Sequence, residues 1–192
     1  MKIRSVSLAL ALLASLVAHR AVAATETYKI DSAHSTVAFD VRHFLTKVPG
    51  SFGKTSGTIT VDRDNLENSK VEATIDVASI NTREEKRDNH LRSGDFFLTE
   101  QFPTITFKSK SWKKTGDDTF DITGDLTMKE TTKEVVLKTK LLGFGPGARG
   151  AQLSGWEAKT TLDRRDFGIT YGQGVVGNEV EVEIDIEAVL QK

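Results

Sequence analysis

Cysteine is absent from all 192 residues. That absence removes disulfides, thiolate metal sites, a cysteine nucleophile and a lipid-modified N-terminal cysteine together. No Asn-x-Ser/Thr glycosylation acceptor occurs either. Past the first 23 residues, no stretch approaches the roughly 20 apolar residues a membrane helix needs, so no integral membrane segment is expected. A basic stripe is also missing, which argues against a nucleic-acid partner. Two catalytic signatures are lacking: a Gly-x-Ser-x-Gly nucleophile elbow and a His-Glu-x-x-His zinc pair. Internal repeats and low-complexity tracts are not found.

What is present begins at the N-terminus. Lys2 and Arg4 precede an apolar run from Val6 to Val17, and Ala21-Val22-Ala23 has the small-x-small pattern of a cleavage site. Residues 1–23 therefore read as a secretory signal peptide. Its removal takes away Lys2, Arg4 and Arg20, leaving 23 basic residues against 27 acidic ones and a net charge of about −4. Residues 24–192 suit one domain, long enough to fold on its own core without covalent staples. Export without cysteines or glycosylation sites points to a bacterial periplasm.

The domain alternates apolar and polar residues with a period of two, the pattern of half-buried strands. In "STVAFDVRHF", Val37, Phe39, Val41 and His43 share one face. "GKTSGTITVD" and "KVEATIDVAS" repeat the pattern with Ile59, Val61, Ile75 and Val77. Five more runs follow, carrying Ile105 and Phe107; Phe120, Ile122, Leu126 and Met128; Val135, Leu137 and Leu141; Trp156 and Leu162; and Val180, Val182, Ile184 and Ile186. Eight such runs joined by short polar turns predict an all-β antiparallel meander. Closure into an eight-stranded barrel would hide its edges; a two-sheet sandwich is the alternative that periodicity leaves open.

Between the third and fourth runs lies "SINTREEKRDNHLRSGDFF". Thr82 and Glu85 have capping-box spacing and Gly94 is a helix stop, so a short helix is expected there. Being charged on most sides, it would cap a barrel end, with Leu91, Phe96 and Phe97 as apolar pegs. Arg87, Asp88, His90, Arg92 and Asp95 read as a polar brace that seats it, with Asp31 and His34 assigned to the same structural class. The rival reading of these histidines and carboxylates, with Asp166 and His43, is a metal- or histidine-dependent hydrolase. The glycine-rich segment 142–155 is expected to be a mobile surface loop.

Seven stretches in order, "DSAHSTVAFDVRH", "GSFGKTSGTITVD", "SINTREEKRDNHLRSGDFF", "FPTITFKS", "GDLTMKETTKEV", "DRRDFGI" and "NEVEVEIDIEA", resemble the YceI-like family over nearly all of the exported chain. The resemblance implies an elongated lipocalin-like barrel holding a polyisoprenoid or similar amphiphilic lipid, without catalysis. On that reading Phe39, Phe44, Phe52, Phe97, Phe107, Trp156 and Phe167 line the interior with Val41, Ile59, Ile75, Leu126 and Leu137. His43, on the apolar face at a strand end, would meet a lipid head group at the mouth. No metal and no cofactor are expected; an isoprenoid lipid accompanying the protein through purification is the small molecule the resemblance admits. A broad sequestering protein for lipophilic compounds, and a solid barrel acting in stress or assembly, are the other binding-class readings. Whether two copies pair as a homodimer stays open.

Overall fold

The structure, a computed structural model, describes residues 25–192; the expected signal peptide lies outside the described residues. Eleven strand segments form one antiparallel sheet that closes on itself. Two pairs of short segments behave as single long staves. β1 (Glu26–Ile30) and β2 (Thr36–His43) both run antiparallel to β11 (Val176–Leu190), at its C-terminal and N-terminal halves respectively. β3 (Thr46–Phe52) lies against β2, and β4 (Thr55–Val61) against β1. The staves continue through β5 (Lys70–Asp76), β7 (Thr104–Lys114), β8 (Thr119–Met128), β9 (Thr131–Pro146) and β10 (Gln152–Asp163) back to β11. β6 (Ile80–Asn81) adds a two-residue pairing on β3.

The β1–β11 pairing completes a ring of eight staves, so the barrel expected from periodicity is what forms and the sandwich is excluded. Three segments were not anticipated. β1 is only five residues long, β3 carries Pro49 and Gly50 where alternation is weak, and β6 has two residues. The glycine-rich segment is a larger correction. β9 runs on to Pro146 and β10 begins at Gln152, so most of 142–155 is paired strand and only 147–151 turns. Backbone hydrogen bonding across the ladder overrides glycine's weak strand preference, and the register shift between Gly155 and Trp156 absorbs the irregularity.

One end of the barrel is solid. Trp112 and Trp156 meet edge to face with centroids 5.4 Å apart. Phe120 lies 6.0 Å from Trp112, and Phe144 lies 5.9 Å from Trp156 and 5.8 Å from Tyr28. Tyr28, Phe120, Val61 and Ile59 are almost wholly buried around them. Quadrupole-matched aromatic contacts of this kind add to simple area burial. Gly57, midway along β4, has a φ of +144°, and a Cβ there would stand 2.1 Å from the Glu72 carbonyl oxygen. No other residue fits that approach.

The opposite end is covered by α1 (Glu85–Arg92) and the segment that follows it. The N-cap is Glu84, whose carboxylate accepts from the Lys86 and Arg87 backbone N–H groups at 3.2 and 2.7 Å. Thr82 is not the cap: its hydroxyl and N–H are both held by Asp88. The helix is capped at Ser93, one residue before the expected stop. Among the described residues, no helix is long and apolar enough to cross a membrane.

Candidate functional site

Beneath α1 the inward stripes of the staves do not meet, and a cavity of about 170 Å³ remains. The residues of the aromatic end just described do not border it. Its walls are Val37, Phe39 and Val41 from β2, Ile105 and Phe107 from β7, Leu126 and Met128 from β8, and the valine–isoleucine stripe of β11. Leu91, Phe96 and Phe97 form its roof, which joins the sequence feature "RDNHLRSGDFF" directly to the interior. Of the lining residues only Thr160 and Arg164 are polar.

The roof is seated by polar contacts. Asp88, buried, accepts from the Thr82 N–H at 2.8 Å and the Thr82 hydroxyl at 2.5 Å. Arg87 donates to the Thr82 hydroxyl and carbonyl, both at 2.7 Å. Arg92 donates to the carbonyls of Ala78 and Ile80 at 3.0 and 2.9 Å, tying the helix to β6 and the turn before it. His90 and Asp95 form an Nε2–Oδ2 contact of 2.7 Å, and the imidazole rests edge-on against Phe96 and Tyr171. Thr82 and Asp88, the buried members of this set, are satisfied in this way and hold one arrangement.

The nearby serine does not turn His90 and Asp95 into a nucleophilic triad. The Ser93 hydroxyl donates to the backbone carbonyl of His90 at 2.8 Å rather than to the ring, so the serine–imidazole contact that would activate it is not made. Asp31 and His34 sit apart from this brace, at the β1–β2 junction. His34 Nδ1 is 3.0 Å from Asp31 and 3.8 Å from Glu187. The hydrogen bond with Asp31 raises the His34 pKa above its ordinary value, and the same bond lowers that of Asp31. His43 and His90 do not join this group.

The residues expected to line the interior divide by height. Phe39, Val41, Phe52, Ile75, Phe97, Phe107, Leu126, Leu137 and Phe167 border the cavity. Ile59 and Trp156 are buried in the solid end. Phe44 is 63 % exposed at the β2–β3 turn, where its backbone has φ of +47°. His43 is exposed beside it, with ring centroids 4.8 Å apart.

Arg164, whose "DRRD" run reads in sequence as polar groups satisfying one another and nearby backbone, also borders the cavity. It is only 6 % exposed. Its guanidinium donates to the carbonyls of Gly177, Ile169, Tyr171 and Val176 at 2.7–3.0 Å, closing the loop that precedes β11. Burial lowers its pKa from the ordinary arginine value. The adjacent Asp163 is engaged by Arg165, whose hydrogen bonds bring the Asp163 pKa down to about 2.

Comparison with known proteins agrees with this geometry. The family described as the YceI-like domain matches residues 28–188. Protein YceI of Escherichia coli is 41 % identical over 182 residues, 93 % of this chain and 95 % of that protein. The crystal structure of Burkholderia cenocepacia BcnA superposes with a TM-score of 0.76 at 22 % identity, covering 83 % of this chain and 99 % of that one. A polyisoprenoid binding domain from Saccharophagus degradans superposes with a TM-score of 0.69 at 14 % identity, over 85 % and 98 % of the two chains.

Proposed function

The chain belongs to the YceI-like family, and on that premise we propose that it is a non-catalytic periplasmic carrier that holds the apolar chain of an isoprenoid or similar amphiphilic lipid under α1. The observation that carries this reading is the cavity itself, walled by apolar side chains from staves all around the barrel and roofed by three more. A likeness in fold to a domain named for polyisoprenoid binding supports it.

Size and energy set the terms. At rest the cavity of about 170 Å³ matches a benzene-sized guest. A longer chain enters as Leu91, Phe96 and Phe97 give way. Each buried methylene contributes about 0.8 kcal/mol, so a dozen carbons yield about 10 kcal/mol, against ordering and association costs of about 4–15 kcal/mol. A dozen carbons thus cover the lower part of that range, and a chain of about 20 carbons, at about 16 kcal/mol, exceeds all of it. Because nearly all of the wall is apolar, selectivity follows chain width and length, which also suits a broad sequestering role; competition between unrelated lipophilic compounds separates the two. The test is solvent extraction of freshly purified protein with mass spectrometry, followed by titration with a polyprenyl alcohol. Recovered prenyl lipid or saturable uptake is the expected result; the absence of both would overturn the proposal.

A further inference from the structure

Large apolar side chains that face water are few among the described residues, and most of them gather in one place. Phe44, Leu45, Tyr171 and Val175 stand on the rim beside the roof, while the remaining two, Val136 and Leu142, lie on β9. Leu45 is 90 % exposed. The Phe44 N–H donates to the Val175 carbonyl at 3.0 Å, which sets the β2–β3 turn against the loop before β11. Tyr171, in that loop, packs on the roof residue Phe96 with ring centroids 5.3 Å apart, and Val176, next to Val175, borders the cavity. The apolar rim is thus continuous with the cover of the chamber. Phe44 is held in it at a φ of +47°, a conformation that bulky side chains rarely adopt. A contiguous exposed patch of this kind marks an interaction site.

Area and charge select the occupant. Scaled by exposure, side chains of this size present roughly 400 Å² together. A second copy or a stable protein partner takes about 800 Å² from each side. A bilayer sets no such threshold, because isolated apolar pegs enter it singly and affinity grows with the area they bury. Tyrosine suits the depth of the head groups. Arg42 brings positive charge to the same tip: it is exposed, and its guanidinium donates to the Leu45 carbonyl at 2.9 Å. Its neighbour Lys47 pairs with Glu181, whereas Arg42 forms no ion pair among the described residues. Lipid phosphates are the matching counter-charge. Building on the lipid-carrier reading, we propose that this rim docks the protein on a phospholipid membrane, with Phe44 and Leu45 inserted among the acyl chains and Arg42 among the phosphates. Leu91, Phe96 and Phe97 then give way toward lipid, and a prenyl chain passes between bilayer and chamber without crossing water.

Flotation of the purified protein with vesicles of phosphatidylcholine and phosphatidylglycerol tests the docking face. Wild-type protein should float with the vesicles. Leu45→Glu, at a tip too exposed to matter for folding, should lower partitioning at least about tenfold, and Leu45→Ser at least about threefold. Leu142→Glu, an exposed position on β9 outside the rim, should change it by less than about twofold. Uptake of a polyprenyl alcohol from solution should be the same in all four proteins, while its transfer from vesicles should slow in the Leu45 variants alone. No flotation of the wild type, or equal losses from Leu45→Glu and Leu142→Glu, would overturn the docking face; uptake from solution would still uphold the carrier. Flotation without any prenyl uptake would overturn the carrier reading and leave the docking face standing. A Leu45-dependent dimer in light scattering, with no flotation, would assign the rim to a second copy and overturn the proposal.

Discussion

Paired truncations of two phenylalanines separate the solid end of the barrel from the hollow one. Phe120 is 1 % exposed and packs 6.0 Å from Trp112. With protein atoms on every side, Phe120→Ala removes the whole transfer contribution and leaves a new void, at a cost of about 3–5 kcal/mol. For a chain of this size that lowers Tm by about 10 °C. Phe97 is half-buried and already faces the cavity, so less is lost. Its edge contact with Phe52, at 5.9 Å between centroids, contributes about 0.5–1.5 kcal/mol, and partial burial adds a comparable amount. Phe97→Ala should cost about 1–3 kcal/mol while enlarging the chamber, and should change affinity for a long prenyl chain more than Phe120→Ala does. Urea denaturation followed by tryptophan fluorescence, with ligand titration of each variant, makes the measurement. Equal stability losses, or a larger binding effect from Phe120→Ala, would refute the division of the barrel into solid end and chamber.

Asp88→Ala leaves the Thr82 hydroxyl and N–H buried without their acceptor; a stability loss of about 2 kcal/mol is expected in urea, and a loss below a few tenths would show that the helix seat does not depend on it. Gly57→Ala drives a Cβ into the Glu72 carbonyl at a φ of +144°, so a cost of about 3 kcal/mol is expected by thermal melting; an unchanged Tm would contradict the geometry. His34 should titrate above 6.5 by nuclear magnetic resonance because Asp31 binds its charged form. The contribution of that pair to stability is fully present below the unfolded histidine value of about 6.5 and fades as pH rises through the higher folded value. On the acid side, the lowered Asp31 value means that stability is lost as pH falls below the ordinary 3.8. Asp31→Asn should lower the His34 midpoint toward the ordinary range, with Glu187 keeping part of the rise, and an unmoved midpoint would exclude the pairing.

Much of the barrel was legible because a sheet with one face in water and one in a core imposes a period of two on every long stave. β11 shows why: Val180, Val182, Ile184 and Ile186 alternate with Glu179, Glu181, Glu183 and Asp185 without a break. β3 was not legible because Pro49 and Gly50 interrupt the pattern, and β2 supplies the pairing that holds it. Cap assignment failed at Thr82 for a related reason. Its side chain obeys a tertiary partner, Asp88, rather than the local spacing. Alternation also fixes which face a side chain takes but not its height along the barrel axis, so Trp156 and Phe107 looked equivalent although one is buried in the aromatic end and the other borders the chamber. Arg164 was legible as a polar group to be paired, but not its burial. Charge at a turn ordinarily means solvent, and only the closed loop from Ile169 to Gly177 takes this guanidinium inside.

The chamber's role as a chain-binding site is tested most directly by a crystal structure of the protein saturated with a prenyl ligand. Continuous density should run from beneath Leu91 past Phe107 inside the barrel, with Leu91, Phe96 and Phe97 displaced outward. Density confined to the outer surface at saturating ligand, with the roof unmoved, would contradict it.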